Sequence, residues 1–204
     1  DKASRLAIKL DVARTWHKRL GDATPETKAE RLEEARAFYQ KVRDEEPEHK
    51  ESIDALEEIY VDLDRSEDLL EIYRGQIDLS PEVDTKLDYL FRTVDLLRDR
   101  LGRPEDAIAP AEEALALAPG NLGAIQRLDE LFTVTERWED LATTLEDTIR
   151  LVASDKERVV VLKNRLALIY EQPLERPDTA IEIHASVLEA EPNNAAAIDA
   201  LERL

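Results

Sequence analysis

The chain has 204 residues, no Cys and no Met, 43% hydrophobic and 37% charged residues, and a net charge of −19. That apolar share supports a packed core rather than a disordered chain, and the lack of Cys excludes a disulfide frame, a thiolate nucleophile and Cys-ligated metals. The acidic balance argues against a nucleic-acid or anionic-membrane binder, since both need a basic face, and no apolar run approaches the roughly 18 residues of a membrane span.

Apolar residues recur with helical period and nowhere alternate with period two, so helices are predicted and strands are not. In chain order the helices cover about 2–19, 26–45, 48–62, 66–79, 82–101, 104–117, 120–133, 138–152, 155–171, 177–190 and 193–204. The fifth shows the period clearly, with Leu87, Leu90, Val94, Leu97 and Leu101 on one face. Starts are marked by Pro and acids in the first turn, as in Ser80-Pro81-Glu82, Arg103-Pro104-Glu105-Asp106 and Arg176-Pro177-Asp178, and Asp155 is a plausible cap. All connections are short, which forces antiparallel neighbours. A short hairpin cannot bury both faces alone, and stacking hairpins solves that.

Internal repetition is the strongest signal. Pro47, Pro81, Pro119 and Pro192 punctuate the chain, and Ala153 falls where a further proline would stand. The larger period is about 72 residues. In that register Ile53, Ile125 and Ile198 align, as do Leu56, Leu128 and Leu201, and Ile59, Leu131 and Leu204. Arg65-Ser66-Glu67-Asp68-Leu69 aligns with Arg137-Trp138-Glu139-Asp140-Leu141.

Each proline-terminated hairpin resembles the tetratricopeptide repeat. Ala107, Ala111, Ala114 and Pro119 fit the small-residue pattern of that family's second helix, and Ala35, Tyr39, Val42 and Pro47 and Ala180, His184, Val187 and Pro192 fit it too. The resemblance covers essentially the whole chain. It implies an all-α fold, a right-handed α-solenoid of antiparallel helical hairpins, and one repeat domain over 1–204 with units of about 1–65, 66–137 and 138–204. The doubled unit is similar to long repeat proteins of GC-rich bacteria. There are departures: the small residue of the first helix is replaced by Glu57, Asp95 and Asp129, whereas Ala167 keeps it. The chain reads as a fragment of a longer array, with 193–204 as a first helix lacking its mate, so end-to-end self-association through that helix is expected. Without a Met, the start codon lies upstream, so a targeting signal there leaves the compartment open, with the cytoplasm favoured.

No catalytic constellation stands out, so no enzyme, metal or cofactor is expected. His184 sits at a second-helix packing position. His49 lies at a helix junction with no second ligand at i+4. The run Asp62-Leu63-Asp64-Arg65-Ser66-Glu67-Asp68 copies the start of a calcium loop but has Glu67 where that loop needs Gly. Gly120-Asn121-Leu122-Gly123 lacks the Lys of a phosphate loop. Trp16 and Trp138 read as packing residues between hairpins.

In tetratricopeptide repeats the first helices line a concave face that commonly holds an extended peptide or a partner helix. The resemblance therefore nominates Glu51, Asp54, Glu58, Tyr89, Arg92, Gln126, Glu130 and Asn164 as partner-binding residues. Residues 48–204 hold 17 Lys/Arg against 37 Asp/Glu, so the partner is expected to be a neutral to basic protein or peptide. The alternative is a structural spacer with no site of its own.

Overall fold

The structure, a computed structural model, describes residues 2–18 and 24–204. The helices are α1 (Lys2–Lys18), α2 (Pro25–Glu45), α3 (Lys50–Asp62), α4 (Ser66–Leu79), α5 (Val83–Asp95), α6 (Pro104–Leu117), α7 (Leu122–Val134), α8 (Trp138–Leu151), α9 (Lys156–Glu171), α10 (Pro177–Ala190) and α11 (Ala195–Arg203). Among the described residues there is no strand. The predicted end of the first helix at Arg19 lies outside the described residues.

Three starts fall two residues later than the sequence period suggests, at Lys50, Leu122 and Ala195. The reason is capping. His49, Asn121 and Asn194 stand just outside the helix, and each side chain accepts a hydrogen bond from the backbone N–H three residues on. A residue so used keeps extended backbone angles and cannot itself be helical. Asp155 caps α9 in the same way, accepting from the Arg158 N–H at 3.2 Å.

The fifth segment differs in kind. Regular α-helix ends at Asp95 and continues as one π-helical turn, Leu96–Arg100, closed by the Leu101 N–H donating to the Leu96 carbonyl at 3.0 Å. The wider turn places adjacent Leu96 and Leu97 both in the core. Leu101 stays only half-buried.

The chain forms two compact units, Asp1–Leu101 and Gly102–Leu204. In each, helices pack against their sequence neighbours: α1 on α2, α2 on α3, α3 on α4 and α4 on α5 in the first, and α6 through α11 successively in the second. In the first unit Leu32, Ala35, Tyr39 and Val42 of α2 are buried with Ile53, Leu56, Ile59 and Tyr60 of α3. In the second, Ala107, Ala111 and Ala114 of α6 are wholly buried, as are Leu128 and Leu131 of α7. Fully burying one such Leu contributes about 1.5–3 kcal/mol, whereas the alanines gain mainly by letting helices approach.

Four turns each contain a residue with left-handed φ. Asp64, Gly102, Glu136 and Glu175 all have φ between 51° and 62°, and each is followed by an arginine that starts the next helix: Arg65, Arg103, Arg137 and Arg176. Only one of the four left-handed positions carries the glycine that such an angle favours.

Candidate functional site

In the first unit, α3 and α5 frame a groove of about 690 Å³, floored by Ile53 and Gln76 and walled by Asp54, Asp88, Tyr89 and Arg92. Gln76 is buried, and its amide reaches the Pro47 carbonyl at 3.4 Å. Tyr89 stacks at a tilt on Tyr73, with centroids 5.8 Å apart. The Arg92 guanidinium lies 5.3 Å from the Tyr89 ring centroid.

Charge in the groove is unbalanced. Arg92 is already committed to Glu57 at 2.8 Å and Asp88 at 2.9 Å. Glu48, Asp54 and Asp84 also line the groove and have no basic partner among the described residues. Lys50 is the remaining cation of the lining. Burial pushes the Glu57 carboxyl above the usual carboxylate range, against the pull of Arg92. Burial, reinforced by the charge of Glu57, pushes the Tyr89 phenol up to about 12, so Tyr89 is a neutral hydrogen-bonding group at neutral pH.

Within the first unit the nominated residues do not all meet. Asp54, Tyr89 and Arg92 meet in the α3–α5 groove. Glu51 faces α1 instead, where Arg14 grips its carboxylate through two bonds of 2.5 Å and holds its pKa below the usual range. Glu58 is exposed, with His17 at 3.8 Å. In the second unit Gln126 donates to Glu130 one turn along α7 at 3.1 Å. Asn164 lines a separate pocket with His184 and Asp199.

Sequence reasoning passed over Glu57, Asp84, Asp88 and Gln76. Glu57 had a signal: it stands where the repeat pattern wants a small residue. The structure shows why an acid is accommodated there. Glu57 on α3 pairs with Arg92 on α5, and Asp129 at the same place on α7 pairs with Arg165 on α9 at 2.5 Å. Arg14–Glu51 and Arg203–Glu171 add bridges between α1 and α3 and between α11 and α9. Acid and arginine thus bridge neighbouring odd-numbered helices within each unit.

Among the described residues no group of three or more His, Cys, Asp or Glu side chains is placed to hold a metal ion. No helix there is long and apolar enough to cross a membrane. His49 is an N-cap, its Nδ1 3.3 Å from the Ser52 N–H, and His184 is a buried packing residue. Trp16 is half-buried and Trp138 opens α8.

No protein-family model matches the chain, and no curated protein does. Among solved structures, the crystal structure of a MamA protein is 19% identical, covers 93% of both chains and superposes with a TM-score of 0.50. The chain has a tetratricopeptide-repeat fold. Lower in similarity are YrrB, described as a tetratricopeptide-repeat protein with an unusual peptide-binding site, at 14% identity, 96% and 91% coverage and a TM-score of 0.48, and TTC0263 of Thermus thermophilus, at 17%, 97% and 96% coverage, and 0.41. At these identities the likeness concerns the fold. Within the tetratricopeptide-repeat fold, α1, α3, α5, α7, α9 and α11 take the place of first helices, and the groove described above lies between two of them.

Proposed function

We propose that the chain is a protein-interaction scaffold whose first unit holds a neutral to basic peptide segment or helix in the α3–α5 groove. Tetratricopeptide-repeat folds generally serve protein–protein interaction. The observation that carries the reading is the set of three carboxylates without basic partners, Glu48, Asp54 and Asp84, beside Ile53 and the Tyr89 ring. Carboxylates left unpaired in a groove attract a cationic segment and reject an acidic one.

The test is a peptide array graded from acidic to basic, followed by association rates for the best binder across a salt series. Basic members should bind. Their on-rates should fall as salt shortens the Debye length to about 8 Å and below, and Asp54→Asn with Asp84→Asn should slow association without unfolding the protein. An acidic best binder, or rates indifferent to salt and to both substitutions, would overturn the reading. Glu51 is left out of the substitutions because its partnership with Arg14 ties it to hairpin packing.

One observation favours the second reading, a structural spacer. The bridges Arg14–Glu51, Arg92–Glu57, Arg165–Asp129 and Arg203–Glu171 spend first-helix side chains on holding hairpins together. A spacer would show no selection at all in the array.

A further inference from the structure

The second unit contains a pocket of about 260 Å³ whose wall comes from three helices. Asn164 and Leu168 come from α9, His184 from α10, and Ala196, Asp199 and Ala200 from α11. His184 is only 2% exposed, and neither ring nitrogen has a hydrogen-bond partner. The Asn164 Oδ1 is likewise buried and without a partner. A buried polar atom left unpaired is costly, so two such side chains facing one cavity are a rare arrangement. Asp199 lines the same pocket and has neither ion pair nor hydrogen bond among the described residues.

The pocket offers three acceptors, with the second imidazole nitrogen of His184, the Asn164 amide NH2 and the Arg203 guanidinium as its donors. The Asn164 oxygen, one nitrogen of a neutral imidazole and the Asp199 carboxylate are all acceptors. The cation at the mouth, Arg203, is engaged with Glu171 at 2.9 Å. Lys163 on α9 is turned to Ser186, with its Nζ 2.9 Å from the hydroxyl. Among the described residues no protein donor serves these acceptors. Leu168, 42% exposed, and the two alanines supply an apolar throat. A flexible apolar stem ending in several donors and a positive charge is the complement of such a site.

We propose that this pocket seats one lysine side chain of the partner, its methylenes along Leu168, Ala196 and Ala200 and its ammonium toward Asp199, Asn164 and His184. The inference deepens the basic-partner reading and rests on it, but it names a different place from the α3–α5 groove. An ammonium carries three donors and no acceptor, which matches three acceptors better than a hydroxyl or an amide does. The charge around the site, Asp199 and Glu171 against Arg203, is net negative and suits a cation.

The experiment titrates the full chain with a short Gly/Ser peptide carrying one lysine, beside the same peptide with norleucine and with acetyl-lysine. Imidazole and backbone resonances are followed by NMR. The lysine peptide should shift the His184 ring and the α11 amides, and the norleucine and acetyl-lysine peptides should bind at least ten-fold more weakly. Asp199→Asn should weaken the lysine peptide about ten-fold, a loss of about 1.4 kcal/mol, and leave the norleucine peptide unchanged. His184→Phe, which keeps the packing volume, should weaken it as well. Equal binding of the norleucine peptide would overturn the proposal, as would lysine-dependent shifts confined to Tyr89 and Arg92. The second result would leave the groove reading standing. Shifts at His184 without any in the α3–α5 groove would do the reverse.

Discussion

The guanidinium of Arg137 lies 5.1 Å from the ring centroid of Phe132, across a turn in which Glu136 takes a φ of 56°. The Arg137 N–H closes the turn on the Phe132 carbonyl at 2.8 Å. The same device recurs with Arg65 over Tyr60 at 5.6 Å and Arg176 over Tyr170 at 6.0 Å. The arginine also holds the next helix: Arg65, Arg103 and Arg137 each donate from Nε to an aspartate three residues on, at 2.6 Å. A left-handed backbone at a residue with a Cβ costs about 1–2 kcal/mol, so Glu136→Gly should relieve strain.

The gain is partly offset because glycine also loosens the unfolded chain by about 0.4–1 kcal/mol. Chemical denaturation should therefore show Glu136→Gly and Glu175→Gly neutral to slightly stabilised. The converse change, Gly102→Ala, should destabilise, although a Cβ there meets nothing within 4 Å. If the alanine variant were as stable as the parent, backbone strain would not be what selects the residue at these turns.

His49 offers a second handle. Its Nδ1 accepts from the Ser52 N–H at 3.3 Å and lies 3.0 Å from the Ser52 hydroxyl. Asn121 and Asn194 do the same work at the equivalent junctions. His49→Ala should cost about 1 kcal/mol in unfolding free energy, and His49→Asn should restore it. Equal loss in both variants would mean that the ring packs rather than caps.

Much of the fold was legible because period and punctuation agreed at every hairpin end except the one at Ala153, where no proline stands. The prolines and the aligned Ile53, Ile125 and Ile198 set the register, and three helix starts were missed by two residues where a polar cap stands outside the first turn. The π-helical turn at Leu96–Arg100 was not legible, since one extra residue is absorbed without breaking the apolar stripe. The site was harder. Sequence spacing put Glu51, Asp54 and Glu58 on one helix, but their partners come from other helices: Arg14 takes Glu51, and Asp54 alone of the three faces the α3–α5 groove. Pairings such as Arg92 with Glu57 join residues 35 positions apart, which no local pattern encodes.

Ala111 and Ala114 are both wholly buried, at the second-helix positions where the repeat pattern wants small side chains. Ala111→Leu or Ala114→Leu should overpack the α6 contacts and cost about 1–3 kcal/mol. Exposed Ala109 on the same helix is the control, and Ala109→Leu should change little. Differential scanning calorimetry compares the three, and a neutral effect at both buried sites would show that α6 has room its packing does not suggest.

Burial lowers the His184 pKa below its usual value, the charge of Glu171 opposes this, and Arg203 adds to it. The folded state therefore binds its proton less readily than the unfolded chain, whose histidines titrate near about 6.5. The sign follows from linkage: where the unfolded state takes up more protons, stability falls as pH falls. His184 favours the fold fully above its unfolded pKa, and this contribution is lost as pH drops below that value toward the folded pKa. His184→Phe keeps the packing and removes the titration. Urea unfolding of the second unit, followed through its amide resonances between about pH 7.5 and about 5.5, should show the parent losing stability relative to the phenylalanine variant. Arg203→Gln should reduce that loss, because it removes a cation and leaves Glu171 free to favour the imidazolium. Parallel pH profiles for parent and His184→Phe would show that the ring finds an acceptor on protonation, with Asn164 and Asp199 of the same pocket the candidates.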